Sequence, residues 1–396
     1  MIALRLLLVA LVVACGSDPA GAPAGRTAAP AAVTDASDLY AKYECARCHE
    51  VPRVAAADPE KSCVTCHQQI HAGMFSLDGE PVDRALLALW KSNIHSLRWA
   101  PSLVLADRLR RDWVRAFLLA PHDVRPGLPA EMPRLALTAV DADRLAAALV
   151  PTEDSSAAIA SDATRGAQLY AAKACATCHR FTGTTVDDAS KLGTDQAAVA
   201  LAPDLRQTRE RMTPASIALW LVVPRGAMPS LGLSEEEARA LTAFLVSTPL
   251  APKIVTAPPQ RLPVLDRAVT WDEVETTVFR DTCWHCHSEP DFARGDGGPG
   301  NTGGFGFAGR GLNVTSYAAI SAGSLDDSGE RRSIFAKLPD GTPRLVAHLL
   351  ARHTEVAGGT VPGVRGMPFG LPPLPLETIQ LVDTWIAQGR PRGAAK

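Results

Sequence analysis

The amino-acid sequence predicts an all-α protein of three tandem helical units joined by Pro/Ala-rich linkers, the first unit carrying an insertion. Three observations predict it. Apolar residues recur at helical spacing behind polar caps. One ordered series of short motifs occurs twice. A five-residue frame, Cys-x-x-Cys-His, occurs four times, as Cys45/Cys48/His49, Cys63/Cys66/His67, Cys175/Cys178/His179 and Cys283/Cys286/His287. A chain of 396 residues exceeds what one core of ordinary size organises, and 46% apolar residues suffice for several. The formal charge of -2 leaves no basic excess, so nothing marks a nucleic-acid surface.

The chain opens with MIALRLLLVALVVAC. One cation, Arg5, precedes an apolar run of about ten residues, which reads as a signal peptide over residues 1–14 and is too short to span a bilayer. Val12 to Gly16 resembles the lipobox of bacterial lipoproteins, which implies Cys15 as the acylated first residue of the mature chain. A plain secretory signal with an incidental cysteine is the alternative. Residues 15–37, rich in Ala, Gly and Pro, read as a flexible tether. The expected location is the periplasmic side of a bacterial membrane, with contact through the N-terminal lipid only; Gly16 favours the outer membrane by analogy.

Eight of the nine cysteines lie in the four frames. Two thiols three residues apart can both add to the vinyl groups of one haem, and the adjacent histidine can deliver its imidazole to the iron. Four frames predict four covalently bound haem c groups, with His49, His67, His179 and His287 as iron ligands. A zinc ribbon competes only at the first pair of frames, where 14 residues separate Cys48 from Cys63. It requires neither following histidine. A thioredoxin-type dithiol has no use for the histidine either, and no βαβ pattern surrounds these sites.

The repeated series begins LYAKYECARCH, Leu39 to His49, and LYAAKACATCH, Leu169 to His179. APSL and APDL follow, then a helix carrying Trp113 or Trp220, then Met132-Pro or Met228-Pro before a closing amphipathic helix. Tyr40 and Tyr170 fall on short helices ahead of the frames. Leu109, Trp113 and Phe117 share one helical face; Thr213-Pro214 is a cap with an N1 proline, and Ser234 with Glu237 is a capping-box pattern. This order resembles class I cytochrome c, over about residues 38–150 and 164–248. In that family the methionine of Met-Pro is the sixth iron ligand, so the resemblance implies Met132 for the first haem and Met228 for the third.

His49 to Ala100 spans 51 residues, whereas His179 to Ala202 spans 23. The second frame lies in that excess and has no Met-Pro of its own. Its candidate sixth ligands are His95, His71 and Met74. His71 follows His67 by four residues, so on one helix both rings point the same way and His71 cannot easily reach the opposite haem face; His95 is the preferred candidate. His122 reads as a loop residue.

Residues 250–265 read as a linker and 266–392 as a third, C-terminal monohaem unit; residues 38–150 form the dihaem unit and 162–249 the monohaem unit between them. The loop around Gly304-x-Gly306-x-x-Gly309 neither follows a strand nor opens a helix, which excludes a dinucleotide fingerprint. Met367-Pro precedes a helix with Ile379, Val382, Trp385 and Ile386 on one face and Gly389 as terminator. This ending resembles those of bacterial multihaem cytochromes, which implies Met367 as sixth ligand. His353 and His348 are its rivals.

The predicted function is a tetrahaem c-type cytochrome passing single electrons between redox protein partners, such as a membrane dehydrogenase or oxidase. Two alternatives use the same residues. One is a cytochrome c peroxidase-like or other small-oxidant reductase with an open haem; the other is the haem subunit of a membrane dehydrogenase complex. No catalytic side chains are assigned.

Overall fold

Several helices begin where a short polar side chain satisfies the first N–H groups, as at Ser62, Asp83, Thr138, Asp162, Thr213 and Ser234. The computed structural model describes residues 35–57, 62–77, 79–94, 99–125, 131–135, 137–151, 161–182, 196–226, 228–251, 257–284, 286–287, 311–326 and 328–393. Cys15, His95, His285 and the glycine-rich loop lie outside them. No helix among the described residues is long and apolar enough to cross a membrane. Thr34 to Lys396 form one compact unit with four apolar clusters.

The first repeat holds α1 (Ser37–Lys42), α4 (Arg111–Leu119) and α5 (Ala139–Leu149), the last capped by Thr138 accepting from the Asp141 N–H. Leu39, Tyr40 and Tyr43 pack with Val114, Leu145 and Leu149. The insertion folds on its own core of Ile70, Phe75 and Trp90. It comprises α2 (Cys63–Ala72), capped by Ser62, a hairpin of β1 (Ser76–Leu77) and β2 (Glu80–Pro81), and α3 (Arg84–Asn93), capped by Asp83. The hairpin is an addition to the expected all-helical pattern.

The second repeat contains α6 (Ala163–Ala172), α7 (Gln196–Leu201), α8 (Thr208–Arg211), α9 (Pro214–Val222) and α10 (Glu235–Ser247). The cap signals act as the sequence predicts. Thr213 accepts from Ser216 N–H ahead of Pro214, and Ser234 with Glu237 completes a capping box. α6 crosses α10 at Gly166, where an added Cβ would lie 2.1 Å from the Ala240 carbonyl oxygen. Phe181, Met212, Ile217 and Leu245 form the core.

The two repeats join back to back. Leu109 and Met212 form an antiparallel bridge, flanked by Arg110 N–H donating to Arg211 O at 2.9 Å and Thr213 N–H donating to Arg108 O at 3.4 Å. Leu109 therefore precedes α4 instead of sharing its face, and it packs on the clusters of both repeats. His122 also has a structural task here, its Nε2 pairing with Gln207 Oε1 at 3.1 Å.

The C-terminal part opens with α11 (Trp271–Val274), which widens into a π-helical run over Glu275–Cys283. α12 (Tyr317–Ser321), a hairpin of β3 (Ser324–Leu325) and β4 (Arg331–Arg332), α13 (Arg344–Val356) and α14 (Leu376–Ala387) follow. Trp385 is fully buried, 5.6 Å from Trp271 and 6.2 Å from Phe279 between ring centroids. Gly389 closes α14 at φ 79°, with Arg390 N–H returning to Trp385 O. The end of the expected linker is pinned to this helix. Arg261 forks onto buried Asp383 at 2.5 and 2.8 Å, and Leu265 N–H donates to Thr384 Oγ1.

Candidate haem centres

The first and third frames have the same local construction. A residue in the left-handed region, Glu44 (φ 47°) or Ala174 (φ 53°), turns the chain out of α1 or α6 into a single 3-10 turn, Cys45–Arg47 or Cys175–Thr177. That turn places His49 N–H on Cys45 O at 2.9 Å and His179 N–H on Cys175 O at 3.0 Å. The imidazoles are then fixed from outside. His49 Nδ1 bonds the Pro101 carbonyl at 2.8 Å, and His179 Nδ1 bonds the Pro203 carbonyl at 2.9 Å. A carbonyl only accepts, so Nδ1 carries the proton and Nε2 keeps the lone pair that a metal takes. Burial holds both histidines below their ordinary pKa and so favours the neutral, ligating form.

This geometry explains the Pro-x-Leu signature. The proline carbonyl orients the histidine, and the leucine N–H two residues on bonds the residue after it: Leu103 to Glu50 O and Leu205 to Arg180 O, each at 2.9 Å.

The other two frames are built differently. Cys63, Cys66 and His67 lie on α2 at positions i, i+3 and i+4, on one face of one helix. His71 is on the same helix, as the spacing predicts, and its Nε2 meets the Ile94 carbonyl at 3.2 Å. Met74 is 71% exposed. In the fourth frame Cys283 ends the π-helical run, and His287 N–H bonds Cys283 O at 2.9 Å. His287 is half-buried with its Nδ1 enclosed and unsatisfied, and desolvation pushes its pKa down to about 4. Among the described residues, no carbonyl bonds that nitrogen as Pro101 and Pro203 bond His49 and His179.

Burial pushes Cys283 and Cys286 up to about 12 and Cys45 up to about 11, which keeps them as neutral thiols. Among the described residues no group of three or more His, Cys, Asp or Glu side chains converges as a metal cage. The paired thiols with an adjacent lone-pair nitrogen fit haem c, whose thioethers need no thiolate cluster.

Burial and neighbouring charges act together on cysteines of three frames. Cys48 and Cys63 act on each other as neighbours, which raises Cys48 and lowers Cys63. Cys286 feels the charges of both Cys63 and Arg47. Arg47 pairs with Glu44 at 2.7 Å, and its Nη1 is buried without a partner.

The Met-Pro residues lie in loops. Met132 and Met228 are half-buried, the latter in a loop tied to the end of α6 by Lys173 Nζ donating to Leu231 O at 3.0 Å. Met367, followed by a cis peptide to Pro368, packs on the cluster that includes Cys283. Its loop is stapled to α13: Met367 N–H donates to His348 O, His348 Nδ1 to Arg365 O at 2.6 Å, and Gly366 N–H to Glu355 Oε1 at 2.8 Å. Arg352, 1% exposed, donates to Leu371 O at 2.7 Å, and His353 Nε2 bonds Leu374 O at 2.8 Å. His353 thereby commits its Nε2 to the loop, whereas His348 keeps Nε2 as its lone-pair nitrogen. Arg134, two residues after Met132, reaches Glu355 Oε1 at 3.5 Å and Val364 O at 3.2 Å. Sequence reasoning missed this network and Arg47, because a buried charge leaves no trace in apolar periodicity.

No curated protein and no solved structure matched the chain. Residues 163–249 match the family model for cytochrome c, so the second repeat is a c-type cytochrome domain, built for covalent haem c and haem-based electron transfer.

Proposed function

We propose that the chain is a tetrahaem c-type cytochrome that relays single electrons between redox proteins on the periplasmic side of a bacterial membrane, held there by lipid on Cys15. The supporting observation is that His49, in the unmatched first repeat, reproduces the carbonyl-fixed imidazole of His179, in the matched second repeat, within 0.1 Å. When bound, the haem iron takes up and releases one electron, and the protein sets its potential through ligands, burial and hydrogen bonds.

In this reading Cys45/Cys48, Cys63/Cys66, Cys175/Cys178 and Cys283/Cys286 anchor the four groups. His49, His67, His179 and His287 bind one face of each iron. Met132, His95, Met228 and Met367 bind the other, and His348 positions the Met367 loop through its carbonyl and Nδ1. Intact-mass measurement and haem quantification on the exported protein test the proposal. Four haems per chain are expected, falling to three when both cysteines of any one frame are replaced by alanine. A count of one would confine haem binding to the matched second repeat. EPR of the oxidised protein tests carrier against peroxidase: four low-spin centres support the carrier, and a high-spin centre that reacts with peroxide supports the enzyme.

A further inference from the structure

Among the described residues of the insertion, the enclosed polar side chains find partners with one exception. Ser62 Oγ accepts from Thr65 N–H, Asp83 Oδ1 accepts from Ala85 and Leu86 N–H, and His71 Nε2 meets the Ile94 carbonyl at 3.2 Å. The exception is Trp90 on α3. It is 1% exposed, and its indole Nε1–H is enclosed with no hydrogen-bond partner. An indole nitrogen only donates, and a buried donor left unpaired carries its whole desolvation cost. A phenylalanine would fill an apolar core without that cost.

The core around Trp90 is the one that holds the second frame. Cys66, 7% exposed, packs there with Ile70, Phe75 and Trp90. Phe75 meets the indole edge-on, with ring centroids 6.2 Å apart and the planes at 79°, so the indole has a fixed orientation. A haem attached at Cys66 has its rim at this core, and it carries few hydrogen-bond acceptors. Its pyrrole nitrogens hold the iron and its vinyl groups are used by the thioethers, which leaves the two propionate carboxylates. A bond from N–H to a carboxylate is charge-assisted, and it offsets part of the cost of enclosing the anion.

We propose that Trp90 is a positioning residue for the second haem, its Nε1–H donating to one propionate carboxylate and turning that carboxylate toward the insertion's own core. This rests on the tetrahaem reading at Cys63 and Cys66 and adds to it an orientation of the group within the insertion. The donor also draws charge from the carboxylate. A full anion near the iron favours the oxidised state, so Trp90 holds the second haem's potential up.

The test uses the full-length, haem-loaded protein, with haem count measured first. Trp90→Phe keeps an aromatic ring in the core and removes the N–H. In a potentiometric titration at mildly alkaline pH, one potential should fall and three should hold. Resonance Raman excited in the Soret band should show one hydrogen-bonded propionate mode lost from the same variant, a change that altered packing alone does not produce. Four haems with every propionate mode unchanged, or with no potential moved, overturns the donor and leaves the tetrahaem reading standing. Absence of haem from Cys63 and Cys66 overturns both. If Trp90→Phe fails to accumulate, the wild-type protein is compared with the Cys63→Ala, Cys66→Ala double variant after transfer to heavy water. A propionate mode that shifts slowly, as a buried donor exchanges, should be present in the first and absent from the second; its presence in both or in neither overturns the donor.

Discussion

Replacing Gly166 by alanine sets two physical effects against each other. Alanine is the better helix former by about 0.5–1 kcal/mol, so on an exposed face of α6 the change would stabilise the helix. Gly166 instead faces α10, where the new Cβ would lie 2.1 Å from Ala240 O and 2.7 Å from both Ala240 C and Phe244 Cβ. Two of those atoms are helix backbone and cannot rotate away. Restoring ordinary contact parts the helices by about 1 Å, and a gap of that size forfeits a quarter to a half of each contact's attraction. Overpacking of this kind costs about 1–3 kcal/mol, and with a backbone oxygen at 2.1 Å the upper end applies, so the net loss after a propensity gain of up to about 1 kcal/mol is about 2 kcal/mol. The first repeat shows where alanine is tolerated. Its counterpart, Ala36, is the residue just before α1 and lies outside the helix. Because the chain holds several cores, the assay is local: amide hydrogen exchange of the haem-loaded protein, read peptide by peptide. Exchange in α6 and α10 should speed up roughly 30-fold, with α13 and α14 unaffected. Slower or unchanged exchange in α6 would refute the close crossing.

Four further outcomes follow from named contacts. Arg261→Ala strands the carboxylate of Asp383, 2% exposed, and should destabilise the C-terminal part by about 2–3 kcal/mol, the range for a broken buried pair reduced for the exposure of Arg261; denaturant melts probing Trp385 fluorescence check it. Tyr43→Phe removes the 2.6 Å bond that, with Lys42, holds Asp141 below the usual carboxylate range, at about 0.5–1 kcal/mol near neutrality. Since the folded pKa is depressed, that difference is full above pH 3.8 and vanishes as pH falls through the lower folded value, which parallel acid titrations of the two proteins measure. Arg134→Gln removes the bonds to Val364 O and Glu355 and should speed amide exchange through the loop around Gly366, with α6 and α10 of the second repeat unchanged. Ser234→Ala removes half of a capping box and should cost about 1 kcal/mol in α10, seen as faster exchange at its first turn.

Much of this was legible because it is local. The caps at Thr213 and Ser234, the terminator at Gly389 and the shared helix of His67 and His71 all depend on neighbours within a few residues, and sequence spacing carries them. The Pro-x-Leu signature was visible as a pattern, but its purpose needed the bond from His49 across 52 residues to Pro101. The role of Leu109 was misread for the same reason. Its spacing to Trp113 is helical, yet a partner 103 residues away, Met212, takes it into a bridge before the helix starts. The stapling of the Met367 loop by His348, Arg352 and Glu355 was equally invisible, since four-residue periodicity does not say which polar residues turn inward.

The differences between the repeats are where the chain departs from symmetry, and they fall on one side. The second repeat keeps the short connection from His179 to Ala202, a neutral Thr177 between its cysteines, and a glycine at its helix crossing. The first repeat expands that connection into a separate small core and places Arg47 between its cysteines. It also sends Arg134 from its Met132 loop to Glu355 and Val364. Its opposite side meets the second repeat through Arg108, Leu109 and Arg110. The first repeat therefore meets the C-terminal part through Arg134 and the second repeat through the Leu109 bridge.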